Sequence, residues 1–425
     1  MKKAVIIAAF AFAALAGAEQ NATTLLYPPF KHTWGIHKGT EEKLDMLLGN
    51  KTDFDNPQGL AIVKLKTLDD PKSPDDDAEV TAFGVNSGRG EIIYNASMYA
   101  LGLYGSKGSG VGQFLNPHGI CATPEGDVYV ADTGNRRIVH LRMPKDKLQW
   151  VKSIGEDSLA EPFDVKCTPD GLLYISDAGN NAIVVMDTAG KFIAKFGGLF
   201  APRGLDVDAP DIRWSAYKDN FIVVVDSFGK RVVKLDRSNG AKISVVRMAK
   251  LGIQNTDLQY VALDYLNNSY ATDMNRCQVH KFSREMDYLT SFGKCGTKDE
   301  QFDQPRGIAI WRRFGQIVVG ERASAQYYWV GVDVFDPKMT YNAATRTISF
   351  SLFVTEEAYL TAFLKGNGKD IKLGRKLRIK TGRQNAEFKI PDDAPAGKYD
   401  ILFTIEATYS SKEFYKREIK EHLRI

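Results

Sequence analysis

The sequence predicts an all-β chain: a six-bladed β-propeller followed by a small β-sandwich. Three observations carry that expectation. Tyr104 to Met143 is a meander of short Val-, Ile- and Tyr-rich runs separated by Gly, Pro and Asn turns, a pattern that reads as antiparallel strands. A lone meander cannot bury its faces, and this one returns, so that the chain holds six copies at a period of roughly 40 to 60 residues. After Asp336-Pro337 the pattern gives way to longer alternating runs.

Taken in order, the chain opens on a targeting segment. Lys2-Lys3 are followed by the apolar run AVIIAAFAFAALAGA, and Ala16-Gly17-Ala18 fits a small-residue cleavage site. Residues 1–18 are therefore expected to be a signal peptide cleaved after Ala18, with 19–42 a lead-in and the mature chain secreted or periplasmic. The apolar run is short for a bilayer span, and no later run could cross a membrane.

The propeller is expected over 43–336. Its first unit holds Asn56-Pro57-Gln58-Gly59-Leu60 and its second Asn116-Pro117-His118-Gly119-Ile120, followed by DVYVAD and RIVHLRM. The third reads Glu161-Pro162-Phe163-Asp164-Val165 and then GLLYISDAGNNAIVVMD. The fourth has Pro202-Arg203-Gly204, the degenerate fifth Leu258-Gln259-Tyr260, and the sixth Pro305-Arg306-Gly307. The sixth unit runs out at Val334-Phe335 without an outer strand, whereas Glu42 to Gly49, upstream of the first unit, has that character. The expectation is that this N-terminal stretch completes the sixth blade and closes the ring, leaving no long exposed edge. Two insertions, Lys66 to Asp77 and Ala209 to Asn220, fall between first and second strands and read as surface loops on the face opposite the P-x-G turns.

The repeat F-x-x-P-x-G-[IL], a Gly turn, [VIL]-Y-[VI]-x-D, then x-x-N-x-R-[IV], resembles the NHL repeat, whose members build six-bladed propellers of four strands per blade. The resemblance runs from about Lys43 to Phe335 and is sharpest in the second copy. Residues 337–425 hold RTISFSLFV, AYLTAFLKG and KYDILFTIEATYS, strands of a sandwich. Ala394-Pro395-Ala396-Gly397-Lys398-Tyr399 ahead of an apolar strand is similar to the Ig-like modules that close many secreted bacterial proteins.

Inner strands of a propeller line its central channel, so the residues after each Pro converge on one mouth. They are Gln58, His118, Phe163, Arg203, Gln259 and Arg306, the candidate ligand-binding rim. Turns between second and third strands open onto the same face and add Arg136, Arg231, Arg276 and Arg322 as a secondary rim, with Asn135 and Lys230 beside them. Such a cationic face suits a carboxylate, phosphate or acidic sugar. Asp132, Asp177, Asp226 and Asp273 each end a strand before a tight turn, where a carboxylate accepts backbone N–H bonds, and read as structural.

Enzymatic chemistry finds little footing. NHL-like amidating lyases hold zinc on several P-H-G histidines, and here only Pro117-His118-Gly119 matches. The predicted rim carries no carboxylate for calcium, and no G-x-S-x-G elbow is present. No catalytic residue, metal or cofactor is assigned. The expectation is an exported, monomeric, non-catalytic binding or scaffold protein for a protein, peptide or anionic glycan. The alternatives are a lyase or hydrolase acting at the central channel and a purely structural surface protein. A net charge of +4 is too weak for a nucleic-acid footprint.

Export gives the four cysteines meaning. Cys277 and Cys295, both near turns, are a disulfide candidate. Cys121 and Cys167 lie in equivalent runs of neighbouring repeats, as buried thiols or as a bridge between the two. No pair has the C-x-x-C spacing of a zinc site.

Overall fold

The computed structural model describes residues 25–26, 38–68, 72, 80–97, 100–313, 315–366, 369–408 and 416–425. The expected signal peptide, most of the lead-in and most of the Lys66–Asp77 insertion lie outside these residues.

Five repeats form four-stranded antiparallel sheets, each a meander whose strands pair with their neighbours in chain order. The second, for example, runs Pro117–Ala122, Asp127–Asp132, Arg137–Arg142 and Gln149–Ile154. The innermost strands form a circuit. Pro57–Lys64 touches Pro117–Ala122, and contact then passes through Pro162–Cys167, Leu205–Asp208, Leu258–Leu263 and Ile308–Trp311 back to Pro57–Lys64. The chain is a β-propeller. Apolar layers lie between successive blades; Val165 and Ile175, for instance, pack with Cys121 and Tyr129 between the second and third.

The glycine of P-x-G is dictated by this ring. A Cβ on Gly119 would sit 2.0 Å from Asp164 Oδ1 and 2.4 Å from its Cα. One on Gly204 would meet Tyr260 Cα at 2.4 Å, and one on Gly307 the Gln58 carbonyl at 2.1 Å. Inner strands approach the next blade so closely that only hydrogen fits.

The sixth blade departs from expectation. Glu41–Leu48 is an α-helix, not the outer strand. The outer strand comes instead from Leu25–Leu26, which pair with Val330 and Trp329, and Lys38–Thr40, which pair with Gln326 to Ser324. The sequence EEKLDMLL explains the difference. Leu44 and Leu48, spaced i and i+4, are both buried, two acids occupy the first turn, and Gly49 takes the left-handed conformation (φ 65°) that ends the helix. A strand would have needed period-two alternation. The N-terminus does clasp the last blade, a few residues earlier than expected.

The C-terminal unit is a sandwich. Val334–Asn342, Thr347–Val354 and Gly382–Lys389 form one sheet; Lys369–Lys372, Ala358–Gly366, Lys398–Ala407 and Lys416–Arg424 form the other, with Leu377–Ile379 also pairing with Ala358–Gly366. Phe350 and Phe403 stack between them with centroids 3.7 Å apart. Val334 and Phe335 already pair with Val354 and Phe353, so this sheet begins just before the expected boundary at 336/337.

The sandwich is docked on the propeller through its Thr355-Glu356-Glu357 turn. Lys281 Nζ lies 2.5 Å from Glu356 Oε2, both fully buried, and Asn268 Nδ2 donates to Glu356 Oε1 at 3.2 Å. Tyr217 of the Ala209–Asn220 insertion donates its hydroxyl to Glu357, which also receives Arg378 Nε at 3.0 Å. That insertion is thus part of the seam between the two units. Several sandwich cations are paired as well: Lys376 with Glu406 at 2.9 Å and Arg383 with Asp336 at 3.3 Å.

Candidate functional site

Each blade fixes its P-x-G turn by the same device. A side chain at the end of the second strand accepts the backbone N–H of a residue just ahead of the turn. Asp132 accepts Leu115 N–H at 2.7 Å, Asp226 accepts Phe200 N–H at 2.6 Å, and Asp177 accepts Ala160 and Glu161 N–H at 3.0 and 2.8 Å. Asp273 does the same for Asp257 at 2.9 Å. In the first and sixth blades Asn86 and Glu321 take over, accepting Asp55 and Asp303 N–H, each at 2.7 Å. The carboxylates are held in turn by Arg137, Asn180, Arg231, His280 and Gln326. The aspartate series is a set of structural latches.

So positioned, three of the six rim side chains, Gln58, His118 and Phe163, meet near the ring axis together with Tyr260. His118 of the second blade lies against Phe163 of the third, centroids 4.7 Å apart, and Phe163 against Tyr260 of the fifth at 5.4 Å. Tyr260 donates its hydroxyl to Gln58 Oε1 of the first blade at 3.3 Å. The throat is therefore filled by an aromatic plug with an amide rim. Tyr260 and Asp164 stand where other blades have the P-x-G glycine, and the sequence reading passed over both. Their signal was the departure from glycine itself. Asp164 turns inward, accepts Leu205 N–H at 3.0 Å, and lies 3.7 Å from Lys166 Nζ. Burial pushes its carboxyl up to about 6 despite that ammonium.

The two rim arginines reach sideways. Arg203 Nη1 donates to Asp257 Oδ1 at 2.6 Å and to Leu258 O at 3.0 Å; Arg306 Nη1 donates to Asn56 and to Pro57 O at 3.4 Å. Each joins its blade to the next. His118 Nδ1 is within 2.9 Å of both Asn116 O and Thr133 Oγ1, and Thr133 donates to Pro162 O of the third blade at 2.6 Å. Burial, aided by the Arg203 and Arg306 charges, pushes the His118 imidazole down to about 4, so it is neutral at neutral pH. Gln259 is buried and donates to Asp257 O at 3.3 Å.

The secondary rim divides. Arg231 is folded back on Asp226, with Nε 2.7 Å from the carboxylate. Arg136, Arg276 and Arg322 are exposed around the mouth, Arg322 paired with Asp303 at 2.8 Å. Among the described residues no group of three or more His, Cys, Asp or Glu side chains is placed to hold a metal. The lyase-type zinc site does not fit this rim, since a single imidazole stands among arginines, a phenylalanine and glutamines. Cys277 and Cys295 form a disulfide (Cα–Cα 4.9 Å), while Cys121 and Cys167 are free thiols on adjacent inner strands.

Residues 114–141 match the NHL repeat. A 70-residue stretch is 33% identical to the Drosophila melanogaster brain tumor protein, covering 16% of this chain and only 7% of that protein. Among solved structures, virginiamycin B lyase from Staphylococcus aureus aligns at 14% identity and TM-score 0.43, over 61% of this chain and 83% of that one. A gluconolactonase from Xanthomonas campestris aligns at 10% identity and TM-score 0.47, over 73% and 99%. A chain of a nidogen–laminin complex aligns at 17% identity and TM-score 0.44, over 60% and 85%. No described helix is long and apolar enough to cross a membrane.

Proposed function

We propose that this chain is an exported, non-catalytic binding protein whose P-x-G face receives a protein, peptide or anionic glycan. The observation that carries the reading is the plugged throat. Gln58, His118, Phe163 and Tyr260 fill the axis from four blades, so a ligand meets a floor rather than an open channel. Around that floor stand the exposed guanidinium groups of Arg136, Arg276 and Arg322, suited to carboxylate or sulfate oxygens. Arg203 and Arg306 serve the ring first and the ligand second. Removal of residues 1–18 and the use of the sandwich as an Ig-like spacer belong to the same proposal.

The test is a titration of purified protein with a sulfated glycan and with an acidic peptide library. Replacing Arg136, Arg276 and Arg322 together by serine is expected to weaken binding at least about tenfold and to flatten its salt dependence, with the melting temperature unchanged. Binding unaffected by the triple variant, or turnover of a lactone or streptogramin substrate, would overturn it. N-terminal sequencing of the exported form tests cleavage after Ala18.

A further inference from the structure

The blades are not filled alike, and the third carries a vacancy on its outer flank. A lateral row of residues crosses the second, third and fourth strands of the first five blades at the same register. It reads Tyr129–His140–Lys152 in the second blade, Val223–Lys234–Ser244 in the fourth and Tyr270–Lys281–Thr290 in the fifth. Each of these three contains a lysine, and these lysines are put to use. Lys234 lies over the Phe221 ring at 3.9 Å, and Lys281 over Tyr270 at 5.0 Å. In the first blade the row is Phe83–Tyr94–Gly102, where the Tyr94 ring covers Gly102 in place of a lysine; in the third it is Tyr174–Val185–Ala194, with neither a lysine nor an aromatic over the small residue.

The missing volume is a cavity of about 240 Å³ between the third and fourth blades. Its apolar wall includes Tyr174, Val185, Ala194 and Phe196; Arg237 and Ser238 of the fourth blade close the other side. Arg237 is fixed by Asp170 and by Asn220 Oδ1 at 3.2 Å, its guanidinium 5.3 Å from the Tyr174 ring, and its buried Nε has no acceptor. The Arg237–Asp170 pair leaves the polar end close to neutral. Beside the cavity runs Phe192–Phe196, the outermost strand of its sheet, whose free edge has no partner strand among the described residues. Phe192 and Ile193, consecutive on that edge, are 52% and 47% exposed.

We propose that this flank binds an extended peptide segment, which lies along the Phe192–Phe196 edge and places one aromatic or large aliphatic side chain in the cavity. A volume below the ~300–1,000 Å³ of small-molecule pockets suits a single side chain. An open strand edge supplies main-chain affinity, while the cavity supplies selectivity. A neutral polar end favours a peptide carbonyl over a free anion. This site is separate from the P-x-G face and does not depend on it.

The experiment uses fluorescein-labelled pentapeptides Thr-Thr-Xaa-Thr-Thr, with the C-terminus amidated and Xaa either Phe, Leu or Asp, read by anisotropy against the full chain. The Phe and Leu peptides are expected to bind at least about tenfold tighter than the Asp peptide. Ala194→Lys, which restores the long side chain that Lys152 provides in the second blade, is expected to abolish that preference. Ala194→Met, filling the same space without charge, does likewise. N-methylation of the Phe peptide backbone weakens binding if the edge pairs with it. The proposal fails if all three peptides bind alike or none binds. It also fails if Ala194→Lys, folded by its melting curve, binds the Phe peptide as the parent does. Arg136, Arg276 and Arg322 substitutions leave this binding unchanged, which separates it from the other face.

Discussion

His118 is the side chain whose chemistry the fold alters most usefully. Its ring titrates near 6.5 in an unfolded chain and at about 4 here, so the unfolded state binds more protons between those values. Its contribution is complete above about pH 6.5 and is lost as pH falls toward 4. His118→Phe, which keeps an aromatic face against Phe163, is expected to reduce the stability loss between pH 7 and pH 5 by about 1–2 kcal/mol, measured by urea titration at each pH. The glycines give a second contrast. Gly119→Ala forces a methyl against Asp164 and is expected to cost more than about 2 kcal/mol, whereas Gly197→Ala, with nothing within 4 Å, changes the melting temperature little. At this scale the sequence announced the glycines and the convergence of Gln58, His118 and Phe163, but not the sideways reach of Arg203 and Arg306. It did not announce Tyr260 and Asp164 as channel residues. They sit in the two units that break the repeat, and a lost glycine reads as decay until the ring shows what fills the space.

Strand ends and turns are where the repeats agree with one another. The carboxylate closing each second strand was legible because its neighbours in the repeat are fixed by backbone geometry. The latches on Asn86 and Glu321 were hidden by the change of residue type, though both keep an oxygen at the same place. Asp132→Ala is expected to cost about 3 kcal/mol, since it strands the nearly buried Arg137 and frees Leu115 N–H; thermal melts with Asp132→Asn as the milder control check this. The helix at Glu41–Leu48 was misread because a short apolar run fits a strand as well as a helix until its period is counted.

Propeller and sandwich share one buried seam. Glu356 and Asp264 face a single ammonium, Lys281, with Asn268 and the Tyr270 hydroxyl as their other partners. Lys281→Met leaves Glu356 without its partner and is expected to cost about 3–5 kcal/mol, with much of it recovered by adding Glu356→Gln. Burial pushes the Glu356 carboxyl up to about 7, well above its ordinary 4.5. The folded state therefore binds more protons between those values, and stability falls as pH rises through 7. Glu356→Gln is expected to flatten that limb, followed by melting temperature from pH 5 to 8. None of this seam could be read from spacing, because it joins residues far apart in the chain. The insertion that supplies Tyr217 looked like any polar loop.

The sixth blade borrows its outermost strand from the chain's beginning, where Leu25 faces Val330 and Lys38 faces Gln326. During synthesis those first residues wait, unmated, until almost every other blade has emerged. Ring closure then rests on pairing between residues about three hundred positions apart, and a sixth sheet still lacking its hem leaves an open edge for proteases or for pairing with another molecule.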